Sequence, residues 1–127
     1  LDTSRGLGDV YKRQAETGNF AIGVDSNQDY VQPGTMITSM MKNVDFAVYT
    51  AIADRIAAGG VLSTINSYGS AENGVGPTWL VDGSTLFADE GPADMASQVA
   101  ALIEEVAEVR AKIISGEIVV TDVTAGG

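Results

Sequence analysis

The chain has 127 residues, 45% of them hydrophobic, enough for one packed domain or a piece of a larger one. With 17 acidic against 7 basic residues its formal net charge is −10, a balance that repels nucleic-acid phosphates and argues against a nucleic-acid partner. Cysteine and histidine are both absent, which removes disulfides, thiolate chemistry, histidine-ligated metals and Ser-His-Asp or Cys-His catalysis.

Residues 1–14 do not read like the remainder. They hold three of the seven basic residues (Arg5, Lys12, Arg13), are punctuated by Gly6 and Gly8, and show no clear hydrophobic period. The stretch resembles translated linker or adapter sequence, with a native flexible arm as the other reading. It is expected to be non-native or disordered, leaving 15–127 as the folded part. No apolar core of a signal peptide is visible there, and no apolar run in the chain approaches the roughly 20 residues that span a bilayer.

From Ala15 onward, strands and helices alternate. Residues 20–24 form a compact apolar run that reads as a buried parallel strand, ending in Gly23-Val24-Asp25. A loop follows, with Pro33-Gly34 as its turn signal, and residues 35–40 are short and β-prone. Asn43 is placed to cap a helix whose inward face is Val44, Ala47, Val48, Ala51, Ile52 and Ile56, stopped by Gly59-Gly60. Residues 62–68 are strand-like. Residues 69–94 are rich in Gly, Pro, Ser and Asp, with a short strand expected over 78–81. Residues 93–115 carry the strongest helical pattern, a stripe of Val99, Leu102, Ile103, Val106 and Ile113, with Pro92 and Asp94 at its start and Gly116 at its stop. A last strand is expected over 118–121. The order indicates an α/β fold with a mostly parallel, Rossmann-like sheet.

The chemistry concentrates at Asp25 and Lys42. An acid at the tip of a parallel strand stands at the sheet edge where open α/β folds bind ligands, and it can accept hydrogen bonds from two vicinal hydroxyls. Lys42, seventeen positions on, precedes a helix and can donate to the same sugar or pair with Asp25. From the residues alone the plainer readings lead: an Asp25 that caps its loop through an Asx-turn, and a solvated lysine. Asn27 and Gln28 either line a site or face water. Met36, Met40 and Met41 read as gap-filling core. Phe20, Phe46 and Trp79 read as packing more readily than as base-stacking platforms. Glu104, Glu105 and Glu108 read as a solvated helix face, and Asn73-Gly74-Val75-Gly76 lacks the lysine of a phosphate loop.

Longer words in the sequence carry a family resemblance. The strand end Gly23-Val24-Asp25-Ser26-Asn27-Gln28 is followed by Thr38-Ser39-Met40-Met41-Lys42-Asn43-Val44-Asp45, then Phe46-Ala47-Val48-Tyr49. Asn73-Gly74-Val75-Gly76 comes next, and the run closes on Lys112-Ile113-Ile114-Ser115-Gly116-Glu117-Ile118. This series resembles the basic membrane protein family, the purine-nucleoside receptors of bacterial ABC importers. Asn27 departs from the family's frequent second Asp, and Pro77-Thr78-Trp79 replaces its usual apolar run.

The resemblance implies the C-terminal portion of a two-lobed, type I periplasmic-binding-protein-like fold. It also implies a solute-binding role without chemistry and hence no enzyme, no cofactor and no metal. A purine nucleoside or related small molecule is the implied ligand, an ABC permease the implied partner, and the implied location is extracytoplasmic or lipid-anchored. Carried over, the family's ribose-holding acid and lysine are Asp25 and Lys42. The alternative is a Rossmann-like enzyme or sensor domain that holds a ribosyl cofactor through Asp25, without the Gly-x-Gly-x-x-Gly fingerprint.

Overall fold

Local punctuation sets the element boundaries. The computed structural model describes residues 3–60 and 66–121. Helix α1 spans Thr3–Thr17, β1 Ala21–Asp25, and β2 Met36–Lys42, with a 3₁₀ turn at Asp29–Val31 between the strands. Helix α2 spans Val44–Ala57, β3 Val75–Pro77, α3 Thr78–Val81, α4 Leu86–Glu90 and α5 Ala93–Ser115. Helix α2 ends where the sequence signals it. The Gly59 N–H donates to Ile56 O at 3.1 Å and the Gly60 N–H to Arg55 O at 3.3 Å, a paired C-terminal cap that needs the positive φ of 68° at Gly59. Helix α5 matches its expected bounds at both ends and stops at a left-handed Gly116.

The sheet has three strands in the order β1-β2-β3. β1 runs parallel to β2, and β3 is antiparallel to β2. The mostly parallel sheet is thereby corrected to one parallel and one antiparallel pair among the described residues. Its register slips between Ala21 and Ile22, which pair with Met36 and Thr38, so Ile37 is the extra residue of a bulge. The Ile37 carbonyl is taken by the Trp79 indole N–H at 2.9 Å, which ties α3 onto β2.

That contact explains a second correction. Residues 78–81 have the β-branched character of a strand, yet they form α3. Trp79 and Thr78 both bond back to β2, and tertiary contacts override weak local propensity. The strand sits three residues earlier, as β3.

Further expectations change. β1 is half exposed: Ala21 and Gly23 are buried on one face of the strand, whereas Ile22 and Val24 lie open on the other. The apolar stripe of α2 is present, but no residue of that helix is buried. Asn43 makes no side-chain cap; its amide donates instead to Asn73 O at 2.6 Å. Of the strand expected over 62–68, residues 62–65 lie outside the described residues and 66–68 are not strand. Residues 118–121 are not strand either; the Ile118 N–H turns back to Lys112 O at 3.0 Å. On α5, Val99 is buried while Leu102 is exposed, and the Glu104, Glu105 and Glu108 face is solvated as expected.

The start of the chain departs most from expectation. α1 is helical, and its Tyr11, 8% exposed, packs with Ala21 and Met36 in a buried cluster. The Tyr11 hydroxyl donates to Gln28 Oε1 at 2.7 Å. Absence of a hydrophobic period over 1–14 therefore does not mean absence of packing: one large amphipathic ring anchors the helix. Elsewhere Phe87 and Val99 are buried, and Phe20 meets Phe87 edge to face at a centroid distance of 5.6 Å.

Candidate functional site

Parallel pairing of β1 with β2 places both strand ends at one edge of the sheet. Asp25 ends β1 opposite Met41, and Lys42 ends β2 one residue further. The two side chains meet there: Lys42 Nζ lies 2.9 Å from Asp25 Oδ1. The seventeen-residue spacing of the sequence thus becomes a single ion pair. Both partners face solvent, Lys42 being 64% and Asp25 66% exposed. A pair so open adds at most about 1 kcal/mol to stability.

The backbone at Asp25 is unusual. Its φ is +72°, and the Ser26 N–H donates to Val24 O across it at 3.0 Å. Positive φ with an i to i+2 hydrogen bond is the rarer, strained kind of γ-turn. Such a conformation costs on the order of 1–3 kcal/mol for a residue with a side chain. Strain of that size exceeds what the exposed ion pair returns, so the arrangement is not explained by stability.

The loop beyond Asp25 is organised by other residues. The Asx-turn expected of Asp25 on the plainer reading belongs to Asn27, whose Oδ1 accepts the Asp29 N–H at 3.0 Å. Asn27 also donates to Asp82 Oδ2 at 2.5 Å. Gln28 serves the scaffold, holding Tyr11 through its side chain and Ser39 Oγ through its N–H at 2.9 Å.

Beneath lies a cluster that sequence reasoning missed. Asp29, 2% exposed, accepts from Ser39 Oγ at 2.6 Å on Oδ1, and from Thr78 Oγ1 at 2.7 Å and Ser84 Oγ at 2.6 Å on Oδ2. Thr38 Oγ1 lies 2.8 Å from Thr78 Oγ1, and the Ser39 N–H donates to the same oxygen at 3.2 Å. The only hint in the sequence is the Thr/Ser content of β2, which lacks the apolar run of a central strand.

The candidate stacking residues do not gather at the ion pair. Trp79 is bonded to Ile37, Phe20 packs on Phe87, and Phe46 meets Tyr68 edge to face at 5.8 Å. Met36 is buried core as expected, whereas Met40 is exposed. Met40 lines an apolar groove of about 140 Å³ between α5 and the β2–β3 side of the sheet, with Pro77, Leu80, Val106 and Ile113. Neither Asp25 nor Lys42 lines it. Among the described residues no cluster of three or more acidic side chains could hold a metal ion.

A carboxylate and an ammonium in contact at a sheet edge offer two acceptor oxygens beside a three-donor cation. That combination complements a vicinal diol, whose hydroxyls both donate and accept. Among the described residues no helix is long and apolar enough to cross a membrane.

Comparison with known proteins gives the chain a family. The family model described as ABC transporter substrate-binding protein PnrA-like matches residues 6–124. Basic membrane protein C from each of two strains of Borreliella burgdorferi is 31% identical over 123 residues, covering 92% of this chain. The chain spans 30% of the length of these curated relatives. With a family model matched over nearly all of its described residues, the chain belongs to the PnrA-like (Bmp) family of ABC transporter substrate-binding proteins.

Proposed function

We propose that this chain is the ligand-gripping C-terminal part of a two-lobed receptor for an ABC importer, and that its ligand is a purine nucleoside or a close ribosyl relative. The observation that carries the reading is the 2.9 Å contact of Lys42 Nζ with Asp25 Oδ1 at the C-terminal sheet edge, built on a strained turn. The carboxylate accepts from the ribose 2′- and 3′-hydroxyls, and the ammonium donates to the sugar oxygens. No bond of the ligand is made or broken. A second lobe closes over the sugar and excludes water, after which the receptor docks on its membrane permease outside the cytoplasm.

Closure matters for the energetics. In the open arrangement both side chains are about two-thirds exposed, so water competes with every ligand hydroxyl. Once the sugar is enclosed, removing the carboxylate strands its hydroxyls without acceptors. In a receptor of the relatives' length that carries this region, Asp25→Ala should cost roughly 2–4 kcal/mol, about 30- to 1,000-fold in affinity. Lys42→Met keeps most of the aliphatic stem and should cost less.

The test is calorimetric titration of guanosine, adenosine and inosine, each against its free base, on wild type and both variants. Bases should bind far more weakly than nucleosides. Equal affinity for base and nucleoside, unmoved by either substitution, would retire the ribose reading.

A further inference from the structure

We propose that Asp29 is a positioning residue, whose buried carboxylate holds Asp25 in its strained turn and so presents the Asp25–Lys42 pair to the ligand. The proposal rests on the ribose-holding role given above for that pair, but its mechanics are a matter of this chain alone.

Proton bookkeeping fixes the direction of the network. A carboxylate only accepts, so the hydroxyls of Ser39, Thr78 and Ser84 all spend their single proton on Asp29. Thr78 Oγ1 is then left to accept, and it does so from the Ser39 N–H and from Thr38 Oγ1, which must be the donor of that contact. Ser39 Oγ likewise accepts, from the Gln28 N–H. One buried charge therefore orients hydroxyls from β2, α3 and the turn after α3. Through Ser39 it also seizes the backbone of Gln28, next to Asp29 itself.

The geometric consequence reaches Asp25. Val24 is fixed in β1 by its pairing with Met40. Gln28 and Asp29 are fixed over β2 by Ser39, and Asn27 is fixed by the Asp29 N–H. Gly23 makes room for this overlap: a Cβ there would stand 2.5 Å from Ser39 Oγ and 3.0 Å from Gln28 Cβ. Asp25 is itself the last ladder residue, opposite Met41, so the chain must reverse at Asp25 and Ser26 to pass from the strand end to the fixed Asn27. The positive φ at Asp25 is where that reversal is absorbed. With the clamp released, the chain relaxes to negative φ, and the Asp25 carboxylate swings off Lys42.

The experiment is ligand-free NMR on the isotope-labelled 127-residue chain. Positive φ brings the amide proton close to its own Hα, giving a strong intraresidue cross-peak. Wild type should show that peak at Asp25. Asp29→Asn, which replaces one acceptor oxygen with a donor, should lose it, and Ser39→Ala, which removes the link to Gln28 together with one of the three donors to Asp29, should lose it as well. Val99→Ala, buried in α5 away from the turn, should lower the melting temperature and keep the peak, so that general destabilisation does not imitate the effect. Should Asp29→Asn fail to fold, Ser39→Ala decides, since it leaves the carboxylate two of its three donors. A folded Asp29→Asn or Ser39→Ala chain with the Asp25 peak at full strength would overturn the proposal, as would its absence from wild type. No nucleoside enters this measurement, so its outcome is separate from that of the titration.

Discussion

Replacing Asp25 by glycine should leave the fold about as stable as wild type, or more stable, while removing the feature proposed to grip the ligand. Three terms set the size. Glycine relieves the positive-φ strain at this position, on the order of 1–3 kcal/mol. Its extra freedom in the unfolded chain takes back roughly 0.5–1 kcal/mol. Loss of an ion pair whose members are about two-thirds exposed takes at most about another 1 kcal/mol. By this reckoning the net change runs from about 1 kcal/mol of loss to about 2.5 kcal/mol of gain. Alanine keeps the strained φ and still loses the pair, so Asp25→Ala should fall about 1 kcal/mol below wild type. Asp25→Val, β-branched in a region that such residues avoid, should fall about 2 kcal/mol or more. Each kcal/mol corresponds to roughly 3–5 °C in Tm for a chain of this length. Thermal unfolding followed by circular dichroism reads the ranking directly. If glycine destabilises as much as valine, Asp25 is not strained, and the argument that this turn exists for something other than stability fails.

Further expectations rest on other contacts. Tyr11→Phe loses the bond to Gln28 and should cost about 0.5–1.5 kcal/mol in chemical denaturation, while deleting residues 1–14 should cost more because it also uncovers Ala21 and Met36. A deletion without effect on stability would show that α1 does not hold that cluster. Thr78→Val keeps shape but removes one donor to Asp29 and the acceptor for Thr38 and the Ser39 N–H. It should cost about 2–4 kcal/mol, several times more than Ser84→Ala, which removes a single donor. Alone, the 127-residue chain should bind guanosine at best very weakly, since the Asp25–Lys42 pair stands in water; micromolar affinity by calorimetry would contradict that.

What could be read in the sequence was periodic or local. The period and caps of α5 lie within one segment, and so did both of its ends. Asp25 stood out as the end of a short strand and Lys42 as the residue before a helix; that Lys42 also closes β2, so that parallel pairing brings the two together, was visible only in the structure. The Asp29 cluster was not legible: Thr78 and Ser84 lie 49 and 55 positions away, and nothing local marks a loop aspartate as buried. Periodicity named the apolar face of α2 correctly but was silent on whether anything covers it. Residues 78–81 misled because β propensity describes a fit to a sheet, whereas here Trp79 donates to Ile37 of β2 and Thr78 accepts from Thr38 and the Ser39 N–H from a helical turn.

The uncovered face of α2 has a colloidal consequence. Tyr49 and Ile56 are each 75% exposed, Val44, Val48 and Ile52 more than half exposed, and one face of β1 displays Ile22 and Val24. Apolar surface of this kind is adhesive. What keeps copies of the chain apart is mutual repulsion from a net charge of −10. That barrier vanishes as pH falls toward the pI near 4.1, and salt at 1 M shortens its reach to about 3 Å. Light scattering should therefore record association under either condition at protein concentrations where the chain stays dispersed at neutral pH and low salt. Acidic residues spread along this sequence thus act as a dispersant for a helix that the described fold leaves bare.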